Sequence, residues 1–207
     1  MDGVYFYWVG WIYLCLITFF WPKNSRRTVV AIFMFTLLIV SPKFVTVQSI
    51  QVSLGYVFMI GVFYGYLTQL KTRSLLYILP TSLIVAASYA SFQLVSIYDP
   101  VVHLIDGRIM SMAIVVTLSC IMTTKWSLRL LIAILGLLHG ELLYGLTVSK
   151  TFMVYSFGEF YLLDVMALTS ALIGSGWYLH HLSSIVHAWS KRKNSHHLSD
   201  ELYLTKD

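Results

Sequence analysis

Three ionisable side chains stand inside apolar stretches of this chain: His139 and Glu141 near the middle of Leu130–Ser149, and Asp164 about two turns into Phe157–Val186. In hydrocarbon such groups cost about 2.5–3.5 kcal/mol each, so they normally face a bundle interior or a wet cavity. Two carboxylates brought close together share a proton, which makes Glu141 with Asp164 a candidate proton-binding element. Antiparallel helices joined by a short loop would place both about 10–12 Å below the same boundary. Tyr144, one turn after Glu141, can donate a hydrogen bond to it. His139 is two residues from Glu141, about 200° round a helix, so the two cannot share one ligand. The i, i+4 zinc pattern is absent, and neither a metal nor a cofactor is expected.

Helices must position these groups. Of 207 residues, 58% are hydrophobic and 11% charged, against about 25% charged in soluble domains. Mean hydropathy is +0.76, and the apolar residues fall in runs of the length a bilayer demands, about 20 helical residues. The reading is an all-α integral membrane helical bundle of seven transmembrane helices, near residues 4–21, 28–40, 52–70, 74–98, 109–124, 130–149 and 157–186. Residues 1–189 form one transmembrane domain and 190–207 a polar cytoplasmic tail, whose Lys191-Arg192-Lys193 would contact anionic lipid. The stretch 41–51 alternates too briefly to be a strand and is read as an outer loop. Met1-Asp2-Gly3 lacks the basic start of a secretory signal, so the first span is expected to be retained.

Basic residues orient the bundle. With the N-terminus outside and the C-terminus cytoplasmic, inner segments hold Lys23, Arg26, Arg27, Lys71, Arg73, Lys125, Arg129, Lys191, Arg192, Lys193 and Lys206. Outer segments hold Lys43, Arg108 and Lys150. Eleven against three is a strong positive-inside bias. The same distribution accounts for the net charge of +5 without nucleic acid as a partner.

Small residues at helical spacing mark packing faces: Gly61 with Gly65, Gly136 with Gly140, and Gly174 on the face that carries Asp164. Cys15 and Cys120 form no spaced motif. The structural alternative for the carboxylates is interhelical glue, paired with Arg108, His103 or a tyrosine. His180, His181 and His187 are read as interfacial.

The opening Met1-Asp2-Gly3-Val4-Tyr5-Phe6-Tyr7-Trp8, with Trp11 and Thr18-Phe19-Phe20, resembles the YphA-like family of small multi-pass membrane proteins from Bacillus-type bacteria. The resemblance implies a bacterial plasma membrane and brings no catalytic or binding residue with it.

Several activities lack their residues. The seventh span has no lysine for a retinal Schiff base, there is no Gly-rich phosphate loop, and Gly174-Ser175-Gly176 has no nucleophile-elbow context. Intramembrane hydrolysis by two carboxylates as acid and base is chemically open, but no enzymatic activity is expected. The leading expectation is small-solute or proton-linked transport or sensing. The alternative is a non-catalytic membrane scaffold, binding another membrane protein or a second copy of itself through its small-residue faces.

Overall fold

The computed structural model describes residues 2–47, 50–99, 105–152 and 155–204, with side chains described as far as 186. His103 lies outside the described residues, as do the side chains of His187 and the basic cluster 191–193. The helices are α1 (Val4–Phe20), α2 (Ser25–Val40), α3 (Leu54–Leu67), α4 (Thr72–Tyr98), α5 (Gly107–Met122), α6 (Trp126–Phe152) and α7 (Phe160–Leu204). Three segments, Thr72–Tyr98, Trp126–Lys150 and Phe160–Val186, are long and apolar enough to cross a membrane. Helices α1, α3 and α5 are apolar but have 17, 14 and 16 residues.

Strands β1 (Phe44–Val47), β2 (Ile50–Ser53) and β3 (Tyr155–Phe157) interrupt the helical pattern. β1 pairs antiparallel with β2, and β2 pairs parallel with β3, Val52 facing Phe157 in register. This corrects two expectations: the stretch after α2 is a hairpin, and Phe157 ends a strand instead of starting a helix. A two-stranded hairpin is marginal alone, and the third strand that supports it comes from a hundred residues further along the chain.

Two compact units divide the chain, Met1–Ala171 and Leu172–Asp207. In the first, the tightest packing is α4 on α6. A Cβ at Gly136 would lie 2.5 Å from Val85 Cγ1, and one at Gly140 would lie 2.9 Å from the Ala86 carbonyl oxygen. On α4 the matching small face is Ser82, Ala86 and Ala90, all buried at four-residue spacing. Close backbone approach of this kind drives association where lipid removes the hydrophobic incentive. Tyr77, near the start of α4, donates to the Met122 carbonyl at the end of α5. Arg129 Nε, near the start of α6, donates to the Thr123 carbonyl at 2.7 Å.

The second unit is the remainder of α7. There Trp177 stacks on His181, ring centroids 5.7 Å apart and nearly parallel, and Leu179, Ile185 and Val186 are exposed. Between Trp177 and Leu204 there is neither glycine nor proline, so nothing local breaks the helix. Helix α7 thus takes in residues 190–204 of the expected polar tail.

Candidate functional site

Asp164, on the second turn of α7, is fully buried. Its Oδ2 accepts from the Gly3 backbone N–H at 2.9 Å and its Oδ1 from the Phe6 N–H at 2.8 Å. Gly3 and Phe6 are the cap and third positions of α1, so a carboxylate from the far end of the sequence satisfies amides that a helix start leaves open. Gly3 has φ +92°, and a Cβ there would meet the Phe160 ring at 2.8 Å. Arg108 Nη1 lies 3.3 Å from Asp164 Oδ2, and Nη2 pairs with Asp2. Every oxygen of Asp164 is engaged in holding α1, α5 and α7 together.

Glu141, on α6, is only 3% exposed. Its Oε1 accepts from Tyr155 Oη at 2.8 Å and from the Gly158 N–H at 3.2 Å. Its Oε2 accepts from Tyr89 Oη at 3.4 Å. Gly158 carries the chain from β3 towards α7 at φ +72°, where a Cβ would lie 2.3 Å from Tyr56 Cβ. Gln93 Nε2 donates to Tyr89 Oη at 3.2 Å, Tyr161 Oη donates to Gln93 Oε1 at 3.4 Å, and Ser111 Oγ, 3.3 Å from Tyr161 Oη, can then donate to it. The network thus ties α6 to α4, α7 and α5. Among the described residues no cation lies within ion-pair distance of Glu141. The two carboxylates therefore differ: Asp164 has its arginine, while Glu141 has hydrogen-bond donors alone.

Glu141 opens on a cavity of about 300 Å³ lined with Asp2, Gln93, Tyr144, Tyr155, Glu159 and Tyr161. A separate apolar cavity of about 240 Å³ lies against Phe6, Phe33, Met59, Ile134 and Met166. Tyr155 lies outside the long apolar helices, and burial, reinforced by the Glu141 carboxylate, pushes its phenol up from the usual tyrosine range. Tyr144 lines the cavity with its ring edge-on to Tyr155, centroids 5.4 Å apart. The hydrogen bond expected from Tyr144 is supplied by Tyr155 and Tyr89, because β3 folds back over Gly145, where a Cβ would meet Phe157 at 2.3 Å.

His139 faces the other way. Its Nδ1 is 2.7 Å from the Leu135 carbonyl, which can only accept, and its Nε2 is 2.7 Å from Tyr64 Oη on α3. Among the described residues, no group of three His, Cys, Asp or Glu side chains could hold a metal. Gly136 and Gly140 seat α6 on α4, whereas a Cβ at Gly61 or Gly65 would meet nothing within 4 Å. Among the described residues, then, no neighbour packs against Gly61 or Gly65. Gly174 is half-buried and belongs to the second unit.

Sequence reasoning missed Tyr89, Gln93, Tyr155, Gly158 and Tyr161. A signal existed for two of them: Ser82, Tyr89, Gln93 and Ser96 recur at steps of seven, four and three, one polar face of α4. The residues from β3 carry no such signal.

Long apolar helices and polar groups turned inward define a helical integral membrane protein. Residues 2–198 match the family model for YphA-like integral membrane proteins, and the chain belongs to that family. It is 30% identical to "Uncharacterized protein YphA" of Bacillus subtilis (strain 168), over 94% of this chain and 96% of the relative. No solved structure matches it.

Proposed function

We propose that this is a seven-span protein of the bacterial plasma membrane, N-terminus outside and C-terminus cytoplasmic, whose cavity serves small-solute or proton-linked transport or sensing. Seven crossings would put the N-terminus, the β1–β2 hairpin, the start of α5 and the β3 segment on one side. Contacts between those same segments support this: β2 with β3, Asp164 with Gly3, and Arg108 with Asp2. The excess of Lys and Arg in the opposite segments supports assigning that side to the exterior.

One observation carries the functional reading: a buried carboxylate, Glu141, that lines a cavity and has no cationic partner among the described residues. Buried charges are ordinarily paired, so a proton or a charged solute is the natural complement. Asp164 and His139 are given structural roles, and Glu141 with Tyr144 the functional one. The test is accessibility. With Cys15 and Cys120 replaced by alanine, Ser96→Cys in the cavity should react in intact cells with an impermeant thiol reagent. A protected Ser96→Cys beside a labelled Thr46→Cys control would refute a cavity open to the outside. The scaffold reading keeps one supporting observation, the open face at Gly61 and Gly65. It predicts crosslinking of Gly61→Cys to a neighbouring chain.

A further inference from the structure

We propose that the cavity beside Glu141 binds a small organic cation, an alkyl- or quaternary ammonium group, with its charge towards that carboxylate and its carbon substituents against tyrosine rings. The inference rests on the reading of this cavity as a ligand site and adds the chemical class of the ligand.

The lining selects by charge. Asp2, Glu141 and Glu159 all contribute to the wall, and among the described residues no lysine or arginine does. Arg108 is held by Asp2 and Asp164 together, and Glu141 and Glu159 have no ion-pair partner among the described residues. Glu141 is buried and Glu159 exposed, so negative charge stands on the lining both in the interior and at the surface. An anion would be repelled by these carboxylates. A neutral solute would leave the buried carboxylate to be compensated by a proton alone.

The rings select the kind of cation. Tyr144 and Tyr155 stand nearly perpendicular, 83° between planes, and both line the cavity, with Tyr161 on the same lining. Perpendicular aromatic walls next to a carboxylate are the arrangement that holds substituted ammonium groups, through the attraction of the ring faces for a diffuse positive charge. A bare metal ion instead wants several oxygen ligands at short range, and Glu141 already spends both oxygens on Tyr155, Gly158 and Tyr89. About 300 Å³ lies at the small end of ligand sites, which favours a compact ammonium over a drug-sized one.

The ammonium could arrive as a free solute or as the headgroup of a phospholipid, and the test separates the two. Full-length protein in phosphatidylglycerol nanodiscs is titrated with choline, with its uncharged carbon isostere 3,3-dimethylbutan-1-ol, and with sodium chloride at equal ionic strength, while thermal stability is followed. Saturable stabilisation by choline alone is expected. Tyr144→Leu, which keeps apolar volume but removes the ring face, should weaken it roughly tenfold, and Glu141→Gln should abolish it. If Glu141→Gln proves poorly folded, the Tyr144→Leu result decides. Should choline fail while nanodiscs containing phosphatidylethanolamine stabilise the protein in a Tyr144-dependent way, the ammonium is a lipid headgroup and the chemistry stands. Equal stabilisation by the isostere or by sodium overturns the proposal. So does the absence of any effect from choline and phosphatidylethanolamine alike, and the thiol-labelling result then still reports separately on whether the cavity is open.

Discussion

Replacing Asp164 tests whether this carboxylate is the cap that fixes α1 to the bundle. Its two oxygens take two different amide protons, from Gly3 and Phe6, while Oδ2 also faces Arg108. Asp164→Leu would leave both amides and one side of the guanidinium without this acceptor. Breaking a buried ion pair from one side costs about 3–5 kcal/mol. Arg108 keeps Asp2, so the lower end, about 3 kcal/mol, is the expected loss. From sequence alone Asp164→Asn looks harmless, as an isostere of the neutral acid. The geometry says otherwise, because the asparagine NH₂ group would point at one of the two N–H donors. One hydrogen bond is lost and two donors are opposed, for about 1–2 kcal/mol. Reversible unfolding in mixed micelles should therefore order the variants parent, Asn, Leu. If Asp164→Asn lies within about 0.5 kcal/mol of the parent, the range of substitutions away from any specific contact, the capping argument is wrong.

The α4–α6 contact should be intolerant where the open face of α3 is not. Gly140→Ala drives a methyl group to 2.9 Å from the Ala86 carbonyl oxygen, a backbone atom that cannot swing aside, and should cost about 1–3 kcal/mol. Gly61→Ala, with nothing within 4 Å, should change stability by less than about 0.5 kcal/mol in the same assay. Topology predicts that Thr46→Cys reacts with an impermeant reagent in intact cells and Lys71→Cys does so after lysis alone; the reverse pattern would invert the proposed orientation. Tyr155 predicts an alkaline signature. Because folding raises its phenol above the usual range, its contribution to stability is complete below about pH 10, the ordinary tyrosine value, and is lost as pH climbs beyond it. Tyr155→Phe should therefore flatten the alkaline fall in stability, and an unchanged slope would refute the assignment.

Membrane class and the helices were legible in the sequence because hydrocarbon leaves the backbone little choice: an apolar run must close its own hydrogen bonds, and the helix does so locally. The inward placement of Glu141 and Asp164 was legible for a similar reason, since the solvation cost of a carboxylate follows from its type. The small-residue pairs were ambiguous. Gly136 with Gly140 and Gly61 with Gly65 read alike along the chain, yet the first pair receives α4 and the second faces open space. Spacing reports that a helix face is smooth and says nothing of whether a neighbour comes to it.

Partnership was decided by tertiary structure alone. Glu141 and Asp164 looked like one pair, matched in depth on successive helices. Instead the return of the N-terminus to α7 gives Asp164 two amides and α5 gives it Arg108, while β3 and the turn after it give Glu141 a tyrosine hydroxyl and the Gly158 amide. Strand β3 is three residues long, and its partner β2 lies about a hundred positions earlier. No local periodicity can announce such a pairing. A strand's hydrogen bonds run to another segment, whereas a helix's stay within its own, so helices are written into the sequence and the closure of this cavity is not.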